Sequence, residues 1–155
     1  MIKIDIPGRE TLVITHLVLD YNGTIAVDGL LGADICKRLL QLKEQVQIHI
    51  LTADTYGTVR AQCASLGVEV ESFPDRVAGA EKARIVRQLQ DGVACMGNGF
   101  NDQEMFKFAT LSIAVLEQEG LCTALLAQAD ILVSSARDGL DLLLYPDRLR
   151  ATLRS

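Results

Sequence analysis

The stretch Leu17-Val18-Leu19-Asp20-Tyr21-Asn22-Gly23-Thr24 runs from a short apolar segment into an aspartate and a glycine turn. A strand of a parallel sheet that helices cover on both faces has no polar alternation, and reads as a short unbroken apolar run. Five more such runs follow, at 48–51, 68–70, 93–96, 111–115 and 131–133. Between them Ile35, Leu39, Leu42 and Val46 recur at helical spacing, as do Val59, Cys63 and Leu66, and then Ala83, Val86 and Leu89. Leu121, Leu125 and Leu126 open another helical pattern. Strands alternating with helices predict an α/β fold, a three-layer Rossmann-like parallel sheet with right-handed crossovers. The first residues differ. Segments 2–6 and 11–14 flank Pro7-Gly8, which reads as an N-terminal β-hairpin.

The chain has 155 residues, the length of one domain, and residues 1–155 are expected to form it. Hydrophobic residues make up 49% and charged residues 23%, enough to build a core and too apolar for disorder. The net charge of −5 argues against a nucleic-acid-binding face, which is normally basic. Arg148, Arg150 and Arg154 form one local basic cluster, read as a solvated helix end. No apolar run approaches the roughly 18 residues of a membrane helix, so no membrane contact is expected. Lys3, Asp5, Arg9 and Glu10 interrupt the first fifteen residues, which leaves no signal-peptide core and predicts a cytoplasmic protein. Cys36, Cys63, Cys95 and Cys122 lack zinc-knuckle spacing and sit among apolar neighbours, as buried reduced thiols do.

In a parallel α/β sheet, ligands bind outside the carboxyl ends of the strands. The residues that end each run are therefore the candidates for chemistry. Asp20 presents a carboxylate, either as a metal ligand or as a nucleophile. Thr52-Ala53-Asp54 offers a hydroxyl and the amides of a turn, or simply a helix cap. Gly79-Ala80-Glu81-Lys82 opens a helix, and Lys82 supplies a point charge for a phosphoryl group or a solvated surface amine. In Gly97-Asn98-Gly99-Phe100-Asn101-Asp102, two glycines let the backbone approach a ligand, and Asn98 and Asp102 offer the oxygens that magnesium prefers. A dinucleotide-binding reading fails, because the first strand–helix turn has no Gly-x-Gly-x-x-Gly.

Taken in order, these pieces resemble the haloacid dehalogenase superfamily, whose signatures are Asp-x-Asp-Gly-Thr, a Ser/Thr, a Lys and Gly-Asp-Gly-x-x-Asp. Within it the chain looks most like the phosphorylation domain of P-type ATPases and the small soluble proteins similar to that domain. The resemblance spans about 17–133 and implies a magnesium-dependent phosphohydrolase or phosphotransferase acting through an aspartyl-phosphate on Asp20. It implies that Thr52, Ala53 and Lys82 bind the phosphoryl group, and that Asp20, the Asn22 backbone carbonyl, Asn98 and Asp102 serve Mg2+. Two positions depart from the pattern. Asn22 stands where most phosphatases of the superfamily carry an aspartate acid/base, which contributes roughly 100- to 10,000-fold in rate, so turnover is expected to be slow. Asn98 replaces a carboxylate that commonly serves the metal, which lowers the expected affinity for magnesium. The segments 24–35 and 73–78 are too short for an inserted cap. A capless site implies a homo-oligomer covering it, or a large substrate, so the expected partner is a phosphorylated small molecule or a phosphoprotein. The alternative is a low-turnover phosphoryl-binding or regulatory module on the same fold.

Overall fold

A computed structural model of the chain describes residues 1–54, 57–90 and 92–155. Strands β1 (Ile2–Ile4) and β2 (Leu12–Ile14) pair antiparallel as the expected N-terminal hairpin. The central strand β3 (His16–Leu19) follows directly. A second hairpin, β4 (Ala26–Val27) and β5 (Leu30–Leu31), turns at Asp28-Gly29, where both residues have positive φ, 51° and 75°. That pair of left-handed residues makes the tight turn whose twist suits a two-residue hairpin. This small flap is all that stands at the first expected cap position.

The rest of the chain alternates. It runs through α1 (Ala33–Leu42), β6 (Gln47–Thr52), α2 (Val59–Cys63), β7 (Glu69–Ser72), α3 (Ala78–Leu89), β8 (Val93–Gly97) and α4 (Gln103–Phe106). It ends with β9 (Leu111–Val115), β10 (Ile131–Val133), α5 (Ala136–Leu144) and α6 (Pro146–Leu153). Six strands pair in parallel in the order β10-β9-β8-β3-β6-β7.

The apolar runs divide residue by residue between two cores, as the period of two in a strand requires. Leu17, Leu19, Ile48, Ile50, Ala94 and Met96 face one side, against Ile35 and Leu39 of α1 and Leu140 of α5. Val18, Leu51, Val93 and Cys95 face the other, against Ile85 and Val86 of α3 and Met105 of α4. This is the predicted three-layer α/β sheet. From β3 the chain builds outward through β6 to β7 and then crosses back to β8, so the strand order reverses around β3.

Several local readings shift. The third run forms a strand at Glu69–Ser72 rather than 68–70, and as an edge strand it is only partly buried. Val46 is a core residue but lies beyond α1, which ends at Leu42. The 121–126 pattern is a 3-10 helix, Thr123–Gln128, with Leu125 alone fully inside. Cys63 and Cys95 are buried, whereas Cys36 and Cys122 are partly exposed. The basic end is paired as well as solvated: Arg148 reaches Asp141 at 3.6 Å and Arg150 reaches Asp147 at 2.6 Å. Among the described residues, no helix is long and apolar enough to cross a membrane.

Candidate active site

The carboxyl ends of β3, β6 and β8 meet where the strand order reverses, the crevice in which open α/β sheets bind ligands. A cleft of about 360 Å3 opens there, lined by Asp20, Asn22, Thr52, Ala53, Asn98, Gly99, Phe100 and Asn101. Every sequence-predicted site residue except Lys82 and Asp102 lines it, and those two lie directly beneath.

Asp20 follows β3 and is held by its backbone, its N–H donating to the Met96 carbonyl at 2.9 Å. Its carboxylate is fixed at both ends. Lys82 Nζ donates to Oδ1 at 2.5 Å, and Thr24 Oγ1 lies 3.0 Å from Oδ2. Thr24 Oγ1 is also 3.1 Å from Asn98 Oδ1. A hydroxyl has one proton, so it serves one of these acceptors at a time. When it turns to Asn98, Asp20 Oδ2 keeps its lone pairs for another partner. Gly23 makes this arrangement possible: its φ is +76°, and a Cβ there would lie 2.3 Å from the Asn98 amide nitrogen.

Lys82 occupies a core position. On α3 the buried residues are Ala78, Lys82, Ala83, Ile85 and Val86, so the lysine takes the place of an aliphatic residue in the apolar stripe. It is fully buried, and its ammonium meets Asp20, Asp102 Oδ1 at 2.8 Å and Asn101 Oδ1 at 3.4 Å. Three acceptors match its three protons. Burial alone would lower its pKa, but the carboxylates of Asp102 and Asp20 outweigh burial and raise it, so the amine is held as a cation. For Asp20, burial and then the Asp102 charge push the pKa up to about 6, against the pull of Lys82 and Thr24. Two carboxylates share one ammonium, and the local balance is negative.

Asp102 is fully buried, and both of its oxygens are engaged by donors of the protein. Oδ1 takes Lys82, and Oδ2 takes the backbone N–H groups of Asn98 at 3.1 Å and Gly99 at 2.9 Å. It thus ties the β8 loop to the lysine. Gly97 lets it do so, because a Cβ at that position would lie 2.5 Å from Asp102 Oδ2. Asn98 turns its amide nitrogen to the Gly120 carbonyl at 3.0 Å, which leaves its Oδ1 on the side of Thr24 and the cleft.

Thr52 ends β6, and its Oγ1 accepts the Asp54 N–H at 2.8 Å. Its own proton therefore remains for donation. Asp54 holds this turn in the left-handed region, with φ +48°. Asn22 lies two residues beyond Asp20 in the turn, where the amides of Thr24, Ile25 and Ala26 all converge on the Tyr21 carbonyl and none on that of Asn22. The Asn22 side-chain Oδ1 is buried without a hydrogen-bond partner among the described residues. Buried acceptors are normally paired, so this one asks for a donor that enters the site.

Three contributors escaped the reading of the sequence. Thr24 and Asn101 sit inside motifs that were legible, but only the folded turn shows that their side chains touch Asp20 and Lys82. Phe100 is 73% exposed on the rim of the cleft, where its ring has no core to join.

No protein-family model matches the chain. It is 42% identical over 62 residues to uncharacterized protein MJ0073 of Methanocaldococcus jannaschii, covering 40% of this chain and 67% of that one. It is 51% identical over 39 residues to uncharacterized protein MJ0072 of the same organism, covering 25% of this chain and 89% of that one. Among solved structures it is similar to 3-deoxy-D-manno-octulosonate 8-phosphate phosphatase from Moraxella catarrhalis, solved with magnesium, phosphate and KDO. The TM-score is 0.71 at 17% identity, over 91% of this chain and 94% of that one. The chain belongs to one family with the two archaeal proteins, and its fold is that of the haloacid dehalogenase superfamily.

Proposed function

We propose that this chain is a magnesium-dependent phosphohydrolase or phosphotransferase that works through an aspartyl-phosphate on Asp20. The observation that carries the reading is the Asp20 carboxylate at the floor of the cleft, tied to a fully buried ammonium at 2.5 Å. A structural lysine gains nothing from such a place, since burying charges costs several kcal/mol per ion even when they pair. The magnesium and phosphate in the similar Moraxella catarrhalis structure support the same reading.

The donor set suits a hard divalent cation. Asp20 and Asn98 offer side-chain oxygens, the Asn22 carbonyl is not taken by the turn amides, and among the described lining residues there is no histidine or cysteine. The negative balance of the site also calls for a cation before a dianionic phosphoryl group can enter. Asp20, the Asn22 carbonyl and Asn98 would hold the ion, while Asp102 acts from behind by fixing the Asn98-Gly99 backbone. When bound, the ion neutralises charge on the phosphoryl oxygens.

The chain's own residues do the rest. Lys82 orients Asp20 and offsets negative charge in the transition state. Thr24 releases Asp20 Oδ2 by turning its proton to Asn98, which gives the carboxylate a free oxygen for attack on phosphorus. The Thr52 hydroxyl and the Ala53 backbone receive a phosphoryl oxygen. Asn22 cannot exchange a proton, so breakdown of the aspartyl-phosphate is slow.

The test is beryllofluoride binding and phosphate release from a panel of phosphorylated small molecules, with and without magnesium. Asp20→Asn is expected to abolish both while leaving the fold intact. Undiminished release by Asp20→Asn removes Asp20 as nucleophile. Binding of the mimic without release by the wild type would make the chain a phosphoryl-binding module.

A further inference from the structure

Among its described residues the cleft holds the proposed nucleophile and no second group placed to act as an acid. Of the described residues lining it, only Asp20 carries a group that exchanges protons near neutral pH. The buried groups beneath it are spent. All three protons of Lys82 go to Asp20, Asp102 and Asn101, and both oxygens of Asp102 accept bonds from the protein. Asn22 contributes an amide oxygen that accepts a hydrogen bond and has no proton to deliver.

That inventory constrains the leaving group. When an oxygen of Asp20 bonds to phosphorus, the bond from phosphorus to the donor oxygen breaks, and its electron pair stays on that oxygen. With no proton supplied during the step, the oxygen departs as an anion and takes its proton from water afterwards. We infer, building on the aspartyl-phosphate reading, that the site selects phosphoryl donors whose leaving group is stable as an anion, namely acyl phosphates, phosphoanhydrides and aryl or enol phosphates, over alkyl phosphomonoesters. Hydrolysis closes the cycle. Water adds to phosphorus, the bond to Asp20 breaks with its pair returning to the carboxylate, and the water's protons leave with the phosphate as dihydrogen phosphate.

A series of donors tests this: acetyl phosphate, 4-nitrophenyl phosphate, phenyl phosphate and glycerol phosphate, at one fixed magnesium concentration. Labelling of Asp20 and kcat/KM are read for each donor in the wild type and in Asn22→Asp. The wild-type rate is expected to fall along the series, and the Asn22→Asp series to be flatter because its alkyl end rises. The rise at that end is expected within the roughly 100- to 10,000-fold range of general acid catalysis. A wild type that labels Asp20 from glycerol phosphate as fast as from acetyl phosphate overturns this inference alone, and needs no variant to do so. Absence of label from every donor removes the aspartyl-phosphate reading, and this inference with it.

Discussion

The two ends of β3 solve the same problem in opposite ways. Each places polar side chains in the middle of an apolar sheet. At the carboxyl end, Asp20, Lys82 and Asp102 are buried as ions, and each is held by two or more partners. At the amino end, His16 Nδ1 lies 3.2 Å from His49 Nε2, His49 Nδ1 lies 2.9 Å from Glu69 Oε2, and the Glu69 side chain is 57% exposed. Polarity there is passed from side chain to side chain out to an exposed carboxylate. The difference supports the carboxyl end as the place of the proposed chemistry. A fold under no chemical demand moves charge to the surface, whereas a buried ionic cluster with one unpaired acceptor beside it marks a site kept for chemistry at some cost to stability.

The largest effect is expected where that contrast is greatest. Lys82→Met removes the buried ammonium that sits between the carboxylates of Asp20 and Asp102. Breaking a buried ion pair by deleting one partner costs about 3–5 kcal/mol, read as a drop in unfolding free energy by urea titration. Beryllofluoride binding should vanish with it. A variant as stable as the wild type would show that the carboxylates relax or protonate freely, and the two ends of the strand would then be alike.

A smaller loss is expected from Gly97→Ala. The added methyl would lie 2.5 Å from Asp102 Oδ2 and 2.6 Å from its Cγ, and Asp102 has no space to retreat into. Overpacking of this kind costs about 1–3 kcal/mol, and it loosens the Asn98-Gly99 amides from their acceptor. Unfolding free energy and magnesium-dependent phosphate release should both fall. Retained phosphate release in a destabilised variant would separate the structural part of Asp102 from its part in the site.

Much of the carboxyl end was legible in the sequence because strand ends announce themselves. Asp20, Thr52 and Asn98 each follow an apolar run, and a glycine marks two of the three turns. Lys82 was legible only through its place in the order of motifs, since the helical pattern read as Ala83, Val86 and Leu89 left room for a solvated surface amine; the fold puts it in the buried stripe with Ala78, Ala83, Ile85 and Val86. What the sequence could not show was the direction of the Asp102 oxygens, because backbone amides carry no side-chain signature. The amino end was invisible for a different reason. His16, His49 and Glu69 are far apart in the chain, and only the parallel register, which sets His49 against Glu69 and His16 against Gln47, brings them into one line. The third strand was displaced toward its C-terminus because an edge strand buries one face weakly, so its apolar residues do not mark its bounds.

The smallest effect belongs to that amino end and concerns pH. Burial, and then the neighbouring His49, hold the His16 pKa below its ordinary value, with Glu69 offsetting part of the shift. The unfolded chain therefore takes up this proton at a higher pH than the folded one. Stability from this group is complete above the ordinary histidine value of about 6.5, and it is lost as pH falls through that value toward the folded one. His16→Asn keeps a polar group beside His49 but does not titrate. Its unfolding free energy should thus fall less than that of the wild type between about pH 7.5 and about pH 5, a window bracketing the histidine range. Because His16 is partly open to water, the difference should stay well under about 1 kcal/mol. Urea titrations at the two pH values read it directly. Equal losses in both proteins would mean that His16 protonates as easily folded as unfolded, and that the amino end tolerates charge as well as the carboxyl end does.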